Sequence, residues 1–75
     1  MEISNINNSI VFTRETDKFI FPVNSIYLIN IGDVVTVRLL GNRRNIFSFN
    51  YNEVTNITAS DVDDFMNKIN QIIFK

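Results

Sequence analysis

Five short runs with the composition of β-strands, followed by one stretch with the periodicity of a helix, limit what this chain can fold into more than any other feature of it. The runs are "SIVFTRE" (9–15), "KFIFPV" (18–23), "SIYLINI" (25–31), "VVTVRLL" (34–40) and "NIFSFNY" (45–51). They are rich in β-branched and aromatic residues and partly alternate between apolar and polar positions. The helical stretch is "ASDVDDFMNKINQIIFK", in which Val62, Phe65, Met66, Ile69, Ile72 and Ile73 recur at spacings of 3, 1, 3, 3 and 1. That spacing makes one stripe on a 3.6-residue helix. The expected fold is therefore α+β in a single domain, 1–75: an antiparallel β-meander of four to five strands over about 9–56, then one C-terminal amphipathic helix over about 60–74 packed on one sheet face.

The connections follow from local chemistry. Thr16-Asp17 interrupts the first run and predicts a hairpin; Pro22 cannot donate to a ladder, so its strand lies at an edge or ends there. Gly32-Asp33 suits a two-residue type II′ turn because glycine supplies the positive φ. Gly41 and Asn42 are placed to take left-handed conformations at the next hairpin tip. Ser60 is a good N-cap, with Asp63 three residues on as a capping-box carboxylate. Asp61, Asp63 and Asp64 suit the positive end of the helix dipole, and Lys75 its other end. This accounts for the three acids without a metal site.

A domain of 75 residues buries only roughly 60 % of the surface its unfolded chain exposes, so its own core gives marginal stability. The sequence contains neither cysteine nor histidine, which removes disulfides, thiolate ligands and the commonest zinc sites, and leaves no cofactor to expect. Association with further subunits is the supplement that remains. It also removes the usual acid–base and nucleophilic groups; with two glycines in the chain and no glycine-rich phosphate loop, the expectation is a protein that is not an enzyme. The N-terminus lacks the basic start and apolar run of a signal peptide, and no segment is long and apolar enough to cross a bilayer, so an intracellular, soluble location is expected. Twelve asparagines make the Asn-x-Ser/Thr patterns at Asn7 and Asn56 expected by chance.

Alternation sets the faces. Phe19, Phe21, Val23, Val35, Val37, Leu39, Phe47, Phe49 and Tyr51 share one strongly apolar face, the natural seat for the helix stripe. The opposite face would carry Val11, Ile20, Ile29, Val34, Leu40 and Ile46 and is apolar too. One helix covers one side of a sheet. Either the sheet curls into a partial barrel, or the second face is buried against another chain through residues such as Val11, Ile20 and Ile46.

Net charge is −1, so there is no global field for nucleic acid or an acidic membrane. Locally, however, Arg38, Arg43 and Arg44 fall within seven positions around "GNRR". They are either solvated turn charges or a contact for phosphate or an acidic partner. Aromatics beside a basic loop are also what single-strand binders use, although the same aromatics are needed for the core.

The order "FPVNSIYLI", "VVTVRLLGNRRNIFSFNY", "EVTNITASDVDDFMNKINQII", covering about 18–73, resembles small β-meander-plus-helix proteins of bacteriophages with AT-rich genomes, and in outline pleckstrin-homology-like domains, which are longer and have more strands. The phage resemblance implies a non-enzymatic structural or accessory protein acting by self-association, in the host cytoplasm or the virion. The expected function is thus interaction: a homo-oligomer, or docking into a larger assembly, through an apolar sheet face or edge strand. The alternative is a small module binding nucleic acid or a phosphate ligand through Arg38, Arg43, Arg44 and nearby aromatics.

Overall fold

The computed structural model describes residues 1–73; Phe74 and Lys75, expected at the helix end, lie outside the described residues. The elements are β1 (Glu2–Ile6), β2 (Ser9–Arg14), β3 (Asp17–Pro22), β4 (Ile26–Ile31), β5 (Val34–Leu39), β6 (Asn45–Asn50) and α1 (Val62–Ile73). The α+β class is as expected, but the single meander of four to five strands is replaced by six strands in two three-stranded antiparallel sheets, ordered β1-β2-β3 and β4-β5-β6. The division falls at Pro22. A 3-10 turn, Val23–Ser25, follows it, and the Ser25 hydroxyl donates to the Pro22 carbonyl at 2.8 Å, so the chain turns a corner where the proline ends β3.

The strand absent from the expectation is β1. Its "EISNI" has one buried residue, Ile3, too little for an alternation signal. It is joined to β2 by Asn7 and Asn8, with φ of 53° and 63° and Ile6 opposite Ser9. Two left-handed central residues make a type I′ turn, which matches strand twist and which asparagine tolerates better than most. The next turn is centred on Glu15 and Thr16, with Arg14 opposite Asp17, one residue earlier than expected; Glu15 takes φ of 56°. At Ile31↔Val34, Gly32 has φ of 58° and Asp33 does not share the positive sign, the expected type II′ pattern. In the loop before β6 Gly41 is left-handed, φ 75°, but Asn42 is not. Its side-chain oxygen instead accepts from the Arg44 backbone N–H at 2.9 Å.

The two sheets pack face to face. Phe12 of β2 meets Phe47 and Phe49 of β6 at ring separations of 5.0 and 6.2 Å, and Phe19 stacks on Phe47 at 4.9 Å. The expected apolar face does point inward, with Val35, Val37 and Phe49 buried. The other sheet covers it as well as the helix. The helix bridges the two: Phe65 packs on Phe49 and Tyr51, while the Asn5 amide of β1 donates to the Ile73 carbonyl at 2.8 Å. Phe65, Ile69 and Ile73, each four residues apart, are fully buried, whereas Ile72 is 53 % exposed and leaves the stripe.

The helix start is shifted by one residue from the expected cap. The Asp61 carboxylate accepts from the Asp64 N–H at 2.8 Å, the N-cap bond, and Asp64 rather than Asp63 reaches back to the Ser60 N–H at 3.0 Å. Asp64 also pairs with Lys68 at 3.1 Å. The Ser60 N–H, and then Lys68, hold the Asp64 carboxyl below the ordinary aspartate range. A lowered folded-state value favours the charged form in the native protein, so the contribution is present above the unfolded value and lost as pH falls through the folded one. Asp64→Asn should lower Tm at pH 7, and the gap to the parent should close on acidification below the aspartate range. Thermal melts by circular dichroism check this; a gap independent of pH would show that the charge contributes nothing.

Candidate functional site

The outer face of the second sheet gathers the surface features that the core does not use. In β4–β5, Ile31, Ile29 and Tyr27 lie opposite Val34, Thr36 and Arg38; in β5–β6 the same residues continue to Asn50, Ser48 and Asn45. Side chains alternate across a strand, and Val35 and Val37 are buried inward, so these nine share the outer face. Three rows result. The row at the hairpin tip holds an apolar pair, Ile31 72 % and Val34 42 % exposed, next to Asn50. The middle row is sealed by a bond of 2.9 Å between the Thr36 and Ser48 hydroxyls. The third row holds Tyr27 and Arg38, whose Nε donates to the Asn45 side-chain oxygen at 2.7 Å.

Arg43 and Arg44 are exposed in the loop before β6, at the same end of the second sheet as Arg38. Among the described residues the ion pairs are Arg14–Glu53 and Lys68–Asp64, and neither involves them. The three apolar candidates fare differently. Val11 and Ile20 face each other across β2 and β3, half-buried and 61 % exposed, on the outer face of the first sheet. Ile46 is the extra residue of a β-bulge, since Val37 opposes Phe47 while Arg38 opposes Asn45. The bulge breaks the alternation, and Ile46 packs half-buried against the core. Val11, Ile20 and Ile46 therefore do not form one surface. Leu40, expected beside them, sits in the loop.

Two groups that sequence reasoning passed over matter. Arg14 donates to the Ser48 carbonyl at 3.1 Å, lies 5.9 Å over the Phe47 ring and pairs with Glu53 at 3.5 Å, so this arginine joins the sheets while the "GNRR" pair is exposed. The second group is Ile31, 72 % exposed, which the alternation two residues on from Ile29 points to. Of the aromatics on the expected apolar face, Phe49 is buried and Phe47 lies between Phe12 and Phe19, whereas Tyr27 is half-buried beside Arg38 on the outer face. Asn56, one of the two glycosylation patterns, has its amide bonded to both backbone groups of Ile3.

A small cleft of about 230 Å³ opens among Tyr51, Asn52, Val54, Ile57, Thr58 and Ala59, with no carboxylate or basic side chain in its lining. Among the described residues no group of three or more acidic side chains is placed to hold a metal ion, and no helix is long and apolar enough to cross a membrane. Fold and surface define an α+β protein of two facing three-stranded sheets and one bridging helix, with its distinctive chemistry on an outer sheet face rather than in a cavity. Comparison with family models, curated proteins and solved structures finds no match.

Proposed function

We propose that the chain is a non-enzymatic interaction protein that associates with a second copy of itself through the outer face of its second sheet, as a structural or accessory component of a larger assembly. The observation that carries this reading is the exposed cross-strand pair Ile31 and Val34, 72 % and 42 % exposed, beside half-buried Ile29. Burying a side chain of this size is worth roughly 1.5–3 kcal/mol, and association costs several kcal/mol of lost freedom. A patch this small therefore supports a concentration-dependent dimer rather than a permanent one. Light scattering on a size-exclusion column over a dilution series should show mass rising from one chain toward two with concentration, and Ile31→Lys should remain monomeric with an unchanged melt. A monomer at all concentrations into the millimolar range would overturn the reading.

A second reading rests on Arg38, Arg43 and Arg44 having no carboxylate partner among the described residues: this end of the sheet binds phosphate, as in a single-stranded nucleic acid. Binding to a single-stranded oligonucleotide should then weaken with salt, and Arg43→Ala/Arg44→Ala should lower the log–log salt slope by roughly 0.7 per arginine. Absence of binding at low salt removes it.

A further inference from the structure

A sheet edge offers unpaired backbone groups to any other strand, and proteins block such edges with charge, proline, bulges or covering chain. Of the four edges here, three are blocked. The Ile3 N–H and C=O of β1 are taken by the Asn56 amide at 3.1 and 2.8 Å. Edge strand β3 carries Asp17 and Lys18 and ends on Pro22. On β6 the edge is interrupted by the Ile46 bulge, and the Ser48 carbonyl accepts from Arg14. The fourth edge, β4 "IYLINI", has no charge, no proline and a regular register from Ile26 to Ile31.

The register also says which groups that edge presents. In a two-residue hairpin the closing pair, Ile31 and Val34, is hydrogen-bonded, and the alternation then directs Ile29 and Tyr27 toward β5 as well. The Ser25 carbonyl, which accepts from Leu40 at 2.9 Å, continues the same series. Ile26, Leu28 and Asn30 consequently aim their backbone groups away from β5. Ile26 is buried, but Leu28 is half-buried and Asn30 exposed, and no group among the described residues bonds to their backbones.

Resting on the self-association proposed above, we infer that β4 is the edge through which it occurs: β4 pairs antiparallel with β4 of a second copy about a two-fold axis, Leu28 opposite Asn30 and Ile29 opposite Ile29. This register uses only the accessible edge groups and makes four backbone hydrogen bonds by symmetry. It places Ile31, the most exposed large apolar residue, beside Tyr27 of the other copy, and joins the second sheets into one of six strands. Charge favours the same orientation. The hairpin tip carries exposed Asp33 while the other end of the sheet carries Arg38, Arg43 and Arg44, and antiparallel pairing sets tip against arginine end twice. The contact is isologous and closes at two copies.

Because the chain has no cysteine, a single introduced thiol reads the register. Under mild oxidant Ile29→Cys should form a disulfide-linked dimer, since non-hydrogen-bonded antiparallel pairs bring Cα atoms to about 4.5 Å. Ile31→Cys should not, its copies lying four residues apart in register, about 13 Å. Asn30→Pro, which deletes an outward N–H at an exposed edge position, should abolish the dimer in light scattering with its far-ultraviolet circular dichroism intact. If Asn30→Pro fails to fold, the two thiol variants decide alone. A dimer lost in Ile31→Lys but kept in a folded Asn30→Pro, or a cross-link at Ile31→Cys and not at Ile29→Cys, overturns the edge pairing and leaves the face reading standing. A parent that is monomeric at every concentration overturns both.

Discussion

Phe12→Ala should remove a large fraction of the stability of the fold. Phe12 is fully buried and touches both β3, through Phe21 at 6.3 Å, and β6, through Phe47 and Phe49. Truncating a buried phenylalanine costs about 3–5 kcal/mol, and a chain of 75 residues has a total of about 4–11 kcal/mol at 0.05–0.15 kcal/mol per residue. The variant therefore loses a large fraction of its stability, and where the total lies at the lower end of that range it does not fold. Phe19 stacks on the same Phe47 but is only half-buried, so Phe19→Ala should lose clearly less. Urea titrations of both variants measure this ordering. A smaller loss at Phe12 than at Phe19 would mean that the two sheets do not close over Phe12.

The difference between these two positions is invisible to periodicity, which places both on the apolar side of their strands. Alternation finds the face of each residue within its own sheet, and for Val35, Val37, Phe49 and the helix residues Phe65 and Ile69 that was enough, because burial followed directly from face. It says nothing of where the sheet divides. Pro22 implies that its strand lies at an edge or ends there, but the consequence, a corner that folds one half of the meander onto the other, depends on packing between distant segments. Ile46 shows the complementary failure: a single bulged residue resets the count of two, and an outward position becomes a core contact. Of the candidate site, the grouping of Arg38, Arg43 and Arg44 was legible because those residues are close in sequence. The open edge of β4 was not legible, since being an edge is a property of strand order.

The least legible element yields the second large effect. Asn56→Ala should release β1 from the remainder of the protein. The Asn56 side chain imitates a neighbouring strand, its oxygen accepting from the Ile3 N–H at 3.1 Å and its amide donating to the Ile3 carbonyl at 2.8 Å. On the N-terminal side, the Met1 carbonyl accepts from the Thr55 N–H at 2.8 Å and the Met1 ammonium donates to the Glu53 carbonyl at 3.0 Å. Alanine leaves both Ile3 groups without a partner beside a side chain that is 2 % exposed. At about 0.5–1.5 kcal/mol net per hydrogen bond, the loss is roughly 1–3 kcal/mol. That loss is local as well as global, because β1 is a short edge strand whose other ties are its ladder with β2 and the bond from Asn5 to the Ile73 carbonyl. Amide hydrogen exchange separates the two: Ile3 should lose protection by a larger factor than Val35 and Val37 at the centre of the other sheet. Equal loss at all three would show that β1 opens only with the whole domain, and no loss would show that the Asn56 bonds hold nothing. In the first case a newly bared β1 edge, without charge after Glu2 and without proline, becomes a second site for strand pairing. The variant should then associate beyond the dimer that β4 allows, which the same light-scattering series detects.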